Sequence, residues 1–326
     1  EFPINCFMDM AWDPSDWPLG RLAAYPETCA EDQFGPEHAA EIGEMLTAYT
    51  RFNARRKPEL LEPGTYSLIN YDEADRIVAD YEALAERATS VGEQLPEAYQ
   101  DAYRQLVWFP IHAAANLNAL YVAAAKNKLY AKQGRAETNA MADKVDALFE
   151  KDDELTRFYH EDIAGGKWNH MMAQTHIGYT YWQQPEQDNK PETVRIAVPE
   201  AAGPGVSVPG TESISTGSDT KLTMPVFEPY GRSVQTFDVF NRGQAPFAFD
   251  VASDADWVEV SASGDEVTTQ ERVSVAIDWN RAPEGRADAR VWIMSGDVRI
   301  PVGVATHKFS VPSSSDAFVE TDGIVS

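Results

Sequence analysis

The sequence predicts an α+β chain of several domains, in which an antiparallel helical bundle is followed by an immunoglobulin-like β-sandwich. The first observation is length, because 326 residues exceed what one hydrophobic core usually holds. The second is periodicity: apolar residues recur every three or four positions before Trp182 and every second position after Ser233. The third is composition, since 43% hydrophobic and 24% charged residues are typical of globular proteins.

Four helices are predicted in the first half of the chain. The third runs from Pro96 to about Gln133 and contains Pro110, which should kink or split it. The fourth spans roughly Ala136 to Ala164. The first two carry apolar stripes at helical spacing, namely Ala39, Ile42, Leu46, Tyr49 and Phe52, and then Ala74, Ile77, Tyr81, Leu84 and Ala88. Short connections between such helices predict a bundle.

Short alternating segments predict the strands of the sandwich. Turn signals such as Asn241-Arg242-Gly243 and Pro283-Glu284-Gly285 separate them, as in immunoglobulin-like domains. The segments are residues 234–240, 247–251, 257–260, 272–278, 289–294 and 298–305.

The charge balance excludes some classes of partner. Lys and Arg total 27 against 52 Asp and Glu, a formal charge of −25, which would repel a nucleic acid or an anionic membrane surface. No run approaches the roughly 18 consecutive apolar residues of a membrane helix, so a spanning protein is not expected. The two cysteines, Cys6 and Cys29, could form one bridge or remain thiols, and two thiols are favoured.

Motifs for nucleotide binding, nucleophilic catalysis and metal binding are absent from the sequence. His170 and His176 are six residues apart, a poor spacing for a metal site, so neither a metal nor a cofactor is predicted. Asp152 and Asp153 lie on a very polar predicted helix, and we interpret them as part of its solvated face.

One stretch, residues 165–185, combines aromatic rings, amides and imidazoles with almost no charge. Such groups suit a neutral sugar, because rings cover its C–H face and polar tips bond its hydroxyl groups. The favoured alternative is a seam between domains, filled by the same rings. The candidate residues for either role are Trp168, His170, His176, Tyr179 and Trp182.

A second cluster contains Asp9, Trp12 and Asp13. Asp9 and Asp13 could serve in acid–base chemistry. Asp13 precedes Pro14, however, so a turn-capping role is favoured for it.

The same stretches resemble glycoside hydrolase family 115. The order of the motifs carries the resemblance: Phe2-Pro3-Ile4 with residues 7–14, Gln33-Phe34-Gly35-Pro36, residues 49–61, residues 166–172 with 174–179, residues 227–231 and residues 238–243. The resemblance implies an inverting α-glucuronidase that releases glucuronic acid or its 4-O-methyl ether from α-1,2 linkages on xylan. It also implies a catalytic TIM-type barrel followed by a helical bundle and a β region.

Compared with that architecture, this chain reads as a C-terminal portion without the barrel, so catalytic residues are expected upstream and none is predicted here. The expected partner is xylan or a glucuronoxylan oligosaccharide, bound through the parent enzyme. The substrate class implies a secreted or periplasmic protein. A non-catalytic xylan-binding module and a homodimerisation module are open alternatives.

The resemblance also gives the expected domain boundaries. They are an irregular barrel end at residues 1–33, the bundle at 34–184, a linker and entry to the β region at 185–232, the sandwich at 233–311 and the start of a truncated β module at 312–326.

Overall fold

A computed structural model describes residues 2–179, 184–219, 221–261, 264–309, 320–321 and 324–325. The chain divides into two units. The helical unit comprises Glu1–Tyr66, Glu73–Ala125 and Ala142–Thr193, and the β unit comprises Ser67–Asp72, Lys126–Met141 and Val194–Ser326. The β unit therefore includes the end of one helix and the start of the next.

Eight α-helices occur in the described residues. They are α1 (Phe2–Trp12), α2 (Leu19–Leu22), α3 (Tyr25–Phe34), α4 (Ala39–Asn53), α5 (Glu73–Gln94), α6 (Glu97–Tyr103), α7 (Phe109–Gln133) and α8 (Thr138–Arg157). Single turns of other helix types lie at Pro58–Leu60 and Ile163–Gly166 (3₁₀) and at Arg104–Trp108 and Phe158–Asp162 (π).

The prediction of an irregular segment at residues 1–33 was wrong, because this segment contains α1 and α2 and most of α3. Its prolines lie where helices tolerate them. Pro14 and Pro18 fall between helices, and Pro26 lies in the first turn of α3, where its missing N–H group has no intrahelical partner to lose. The Pro-rich sequence therefore separates short helices rather than preventing them.

The predicted stripes of α4 and α5 are confirmed as core residues. Ile42 and Tyr81 are almost fully buried, and the rest of the two stripes is buried or packed against the core. The predicted break near Pro110 is also confirmed, as a π turn between α6 and α7. Pro110 cannot donate to the carbonyl of Leu106, so the local hydrogen bonding must change at this point.

The continuous helical stretch Glu97–Gln133 is long and apolar enough to cross a membrane by length and composition. Two thirds of its most apolar window, 67%, is buried inside the protein. Burial of this extent is typical of the core helix of a globular unit.

The β unit contains two five-stranded sheets, and its strands are antiparallel except where β3 pairs with β10. The first sheet has the order β2-β1-β4-β8-β6 and the second β3-β10-β9-β5-β7. The strands are β1 (Pro204–Ser207), β2 (Ile214–Ser215), β3 (Leu222–Thr223), β4 (Val234–Asn241), β5 (Phe247–Ser253), β6 (Val258–Val260), β7 (Gly264–Val267), β8 (Gln270–Ile277), β9 (Gly285–Ser295) and β10 (Val298–Lys308). A short pair, β11 (Glu320–Thr321) and β12 (Ile324–Val325), follows.

All six predicted strand segments are confirmed, and one hydrophobic cluster joins the two sheets, with Val239 and Val273 from the first and Val291 and Val302 from the second. The linker prediction for residues 185–232 missed β1, β2 and β3, and β7 lies outside the six predicted segments. These strands have two to four residues, too few to show alternation. The helical-bundle and immunoglobulin-like assignments and the predicted domain boundaries stay predictions.

Candidate functional site

The helical unit contains a cleft of about 830 Å³, which we call the helical cleft. Its walls come from five α-helices, a 3₁₀ turn, two π turns and a loop at residues 171–179, which we call the cleft loop. The lining is Phe2, Pro3, Asn5, Cys29, Gln33, Leu46, Tyr49, Thr50, Pro58, Glu59, Gln105, Leu106, Phe109, Pro110, Ala113, Ala114, Leu117, Asp152, Leu155, Thr156, Tyr159, Met171, Met172, Gln174, Thr175, His176 and Tyr179.

An ion pair between His176 and Asp152 forms part of the cleft wall. The Nε2 atom of His176 lies 2.9 Å from Oδ2 of Asp152, whose side chain projects from α8 and is almost fully buried. The other ring nitrogen, Nδ1, lies 3.2 Å from the carbonyl oxygen of Gln174 and 3.8 Å from Oδ1 of Asp188. The imidazole of His176, which belongs to the cleft loop, therefore connects this loop to the buried Asp152 of α8.

These carboxylates set the protonation state of His176. Burial acts to lower the pKa of the imidazole. The hydrogen bond to Asp152 and the charges of Asp152 and Asp188 outweigh burial and raise the pKa to about 9. The ring is therefore a cation at neutral pH.

Hydrogen bonds from its backbone also hold the cleft loop in place. Oδ1 of Asp188 accepts hydrogen bonds from the backbone N–H groups of His176 and Ile177, both at 2.6 Å. The Ile177 side chain is fully buried among apolar residues of α7 and α8. Gly178 has a φ of 91°, and a Cβ there would lie 2.8 Å from the Cβ of Asn189. Only glycine fits this approach, so the position of the loop depends on it.

Both π turns contribute residues to the helical cleft. Gln105 belongs to the first turn and Tyr159 to the second, and Nε2 of Gln105 donates to the Tyr159 hydroxyl at 3.4 Å. The ring centroid of Tyr159 also lies 4.5 Å from that of Phe109. A π turn is rare and is often associated with functional sites. Here the two turns bring an amide and a phenol together in one wall.

The structure brings only part of the predicted aromatic group together at the cleft. His176 and Tyr179 line it, and the Tyr179 hydroxyl accepts a 2.9 Å hydrogen bond from Gln174. Trp168 packs beside the cluster of Phe109, Leu155, Tyr159 and Ile163, and Lys167 lies over its ring. His170 is exposed, with its ring 6.4 Å from that of His160. Trp182 lies outside the described residues.

The residues of the second predicted cluster lie outside the lining of the helical cleft. Asp9 accepts a 2.7 Å hydrogen bond from the Tyr25 hydroxyl, whereas the Trp12 side chain is 93% exposed. Asp13 accepts hydrogen bonds from the backbone N–H and the hydroxyl of Ser15, at 3.0 and 2.8 Å. These hydrogen bonds lower the pKa of Asp13, as the favoured turn-capping interpretation requires. The favoured interpretation of the cysteines also holds, because Cys6 and Cys29 are free thiols.

Sequence reasoning missed Asp152, Asp188, Gln105 and Tyr159. The assignment of Asp152 to a solvated face was wrong, because its side chain is 5% exposed and pairs with His176, whereas its neighbour Asp153 is exposed. A partner 24 positions along the chain compensates the buried charge, and such a pairing leaves no local signal.

The cleft offers limited chemistry for catalysis. Among the described residues, Glu59, Asp152 and His176 are its charged lining residues, and neither Arg nor Lys lines it. In the described chain, ligating atoms of Asp152, His176 and Asp188 lie within 4.8 Å of one another and could hold a metal ion. In the arrangement observed, the imidazole cation already neutralises one of the two carboxylates.

Comparison with known proteins identifies one family. Residues 1–60 match the model of glycosyl hydrolase family 115, and no protein of curated function matches the chain. A family 115 4-O-methyl-α-glucuronidase with specificity for decorated arabinogalactans is 17% identical over 95% of this chain and 44% of that structure, with a TM-score of 0.43. A family 5 xyloglucanase from Bacteroides ovatus is 18% identical over 29% of this chain and 18% of its own, with a TM-score of 0.22.

The chain thus spans less than half the length of either structure, and both TM-scores are too low to define its fold. The match of residues 1–60 contains the first two of the motifs described above and all but the last residue of the third. This segment is therefore similar to glycosyl hydrolase family 115, the family that the sequence motifs resemble.

Proposed function

We propose that this chain is an accessory region of an inverting α-glucuronidase that removes glucuronic acid or its 4-O-methyl ether from the side chains of xylan. In this proposal the helical and β units support a catalytic domain elsewhere in the parent enzyme, and the chain does not cleave a glycosidic bond by itself. The observation that carries the proposal is the family 115 match of residues 1–60.

The charges of the helical cleft support an accessory role. An inverting glycosidase needs two carboxyl groups, roughly 6.5–9.5 Å apart, that act as acid and base on opposite sides of the sugar. In the cleft one of the two acidic lining residues, Asp152, is committed to His176. A uronic acid also needs a cation for its carboxylate, preferably arginine in bidentate geometry, and the lining formed by the described residues contains no arginine.

A second candidate function is non-catalytic binding of xylan. The observation that favours it is the lining of the cleft, which combines tyrosine rings with glutamine amides. Aromatic faces and amide groups are the surfaces that neutral sugars contact.

The test is an assay of the purified chain on glucuronoxylan and on a short uronosyl xylo-oligosaccharide, with released uronic acid measured by chromatography. We expect no release above the substrate blank, while an active α-glucuronidase gives release from both substrates. Release that scales with the concentration of this chain would overturn the proposal of an accessory role.

A further inference from the structure

We infer that the helical cleft binds a neutral oligosaccharide, the unsubstituted backbone of a polysaccharide, and discriminates against sugars that carry a carboxylate. The identification of that polysaccharide as xylan rests on the proposed function. The binding site itself rests on the geometry of the cleft, which is independent of the parent enzyme's chemistry.

The size and shape of the cleft fit a short sugar chain. Its volume, about 830 Å³, lies in the range of roughly 300–1,000 Å³ that is typical of small-molecule sites. Tyr49, Phe109 and Tyr159 contribute rings to its walls, and Tyr179 contributes another from the cleft loop. Such rings can cover the C–H faces of pyranose units without requiring charge.

Two amide–phenol pairs provide complementary hydrogen-bonding groups. Gln105 donates to Tyr159, and Gln174 donates to Tyr179. In each pair the phenol oxygen accepts, which leaves its own O–H group as a donor and the glutamine Oε1 atom as an acceptor. In the described part of the chain, no other hydrogen bond engages these groups. A donor beside an acceptor matches two neighbouring hydroxyl groups of a sugar.

The electrostatics of the cleft favour a neutral ligand over an acidic one. The charges of Asp152 and His176 cancel, and Glu59 then leaves the lining with a net charge of −1. The chain as a whole has a formal charge of −25. A carboxylate in the cleft would meet repulsion from Glu59 and would find no lysine or arginine in the part of the lining that the structure describes.

The two π turns are a further observation that points to a ligand. Each replaces regular α-helical bonding at a position that lines the cleft, and Pro110 accounts for only the first. The second turn contains no proline, yet it places Tyr159 opposite Gln105. π turns are frequent at functional sites, and here both turns place a side chain in the lining of the cleft.

Calorimetric titration of the purified chain tests the inference. The ligands are xylotetraose, cellotetraose as a second neutral oligosaccharide, and a xylo-oligosaccharide that carries one 4-O-methylglucuronic acid. We expect saturable heat with xylotetraose and at least tenfold weaker binding of the acidic oligosaccharide. Gln174→Ala and Tyr179→Phe should each weaken binding of xylotetraose by about tenfold, the loss of one or two hydrogen bonds to the ligand.

Gln94→Ala is the matched control, because Gln94 is an exposed glutamine on α5 that does not line the cleft. It should leave binding unchanged, and all three variants should keep the melting temperature of the parent chain within a few degrees. The inference is overturned if no neutral oligosaccharide gives saturable heat, if the acidic one binds as tightly, or if both cleft variants bind like Gln94→Ala.

The outcome also separates this inference from the proposed function. Binding of cellotetraose but not of xylotetraose would support the site and contradict the xylan assignment. Release of uronic acid by the chain would contradict the accessory role and leave the binding site standing.

Discussion

Each unit contains a cation that holds a loop in place, and the two cations differ in burial and in chemistry. In the β unit, Arg135 lies in the loop between α7 and α8 and is 3% exposed. Its guanidinium lies between two rings, 4.4 Å from the centroid of Tyr130 and 4.0 Å from that of Phe240. It donates hydrogen bonds to Gln133, Ser207 and Gln270 and lies 3.6 Å from Asp238.

In the helical unit the corresponding role falls to His176. Its imidazole is about one third exposed and depends on Asp152 and Asp188 for its charge. A guanidinium stays protonated at every accessible pH, whereas an imidazole does not. The β unit therefore has a permanent charge at a structural position, and the helical unit has a titratable one in the wall of its cleft.

Replacing Arg135 with Met should have the largest effect. The substitution keeps much of the apolar volume between the two rings but removes all five donors, and it leaves Asp238 with Arg272, an exposed partner at 3.3 Å. Hydrogen bonds of a charged group contribute about 1.5–3 kcal/mol each, so the loss of the three that Arg135 donates should cost at least about 3 kcal/mol. The measurement is calorimetric unfolding of the purified chain, in which the transition of the β unit should fall to a lower temperature.

Arg281→Met is the control for this substitution. Arg281 is exposed and pairs with Asp256 at 2.6 Å on the surface of the β unit. An exposed ion pair contributes about 0.2–1 kcal/mol, so this variant should unfold close to the parent chain. Equal effects of the two substitutions would show that the buried network around Arg135 contributes no more than a surface pair.

The sequence predicted the elements of each unit better than the interactions that hold their loops. The stripe that contains Ile42 lies within α4 and the stripe that contains Tyr81 lies within α5. The strand Val298–Lys308 likewise alternates along one segment, so a local pattern identifies each of these elements. Arg135 and Gln270 are 135 positions apart, and no local pattern indicates that they meet. The same reason explains why Asp152 was assigned to solvent.

For the candidate site, the polar aromatic stretch contributes only some of its predicted residues to the cleft. His176 and Tyr179 line the cleft, whereas Trp168 packs behind it and His170 faces solvent. Composition indicated an uncharged, ring-rich surface. It could not indicate the second π turn, which contains no proline that would mark a break in the helix.

The substitution Asp152→Asn should lower the free energy of unfolding by less than Arg135→Met does. An amide removes the negative charge that holds the imidazole proton, but it keeps the volume of the side chain. We expect about 1–3 kcal/mol of destabilisation, the usual cost of an impaired buried hydrogen bond. Calorimetry should place the loss in the transition of the helical unit, and NMR titration should show the pKa of His176 falling toward its usual range.

The neighbouring residue provides a matched control. Asp153→Asn changes the same charge at an exposed position on α8, so the expected change in stability is within about 0.5 kcal/mol. If Asp153→Asn destabilised the chain as much as Asp152→Asn, the effect would come from the overall charge of the helix, and the His176 pair would not explain it.

The smallest expected effect is a pH dependence of stability that is confined to the helical unit. The pKa of His176 is about 9 in the folded chain, above the unfolded value near 6.5, so the folded state binds the proton more tightly. The stabilisation is complete below pH 6.5 and is lost as the pH rises through 9. Because solvent screens a partly exposed ring, we expect only about 1 kcal/mol between pH 6 and pH 10.

Comparison of His176→Gln with the parent chain isolates this contribution, because other groups that titrate near pH 10 are common to both proteins. The difference in unfolding free energy between the two should shrink as the pH rises. His170→Gln, which replaces an exposed histidine, should show the same pH dependence of the unfolding free energy as the parent chain. If the unfolding free energies of His176→Gln and of the parent chain changed in parallel with pH, the imidazole would not carry the charge assigned to it. The contribution of the Arg135 network to the unfolding free energy should be the same across this pH range, because a guanidinium stays protonated throughout it.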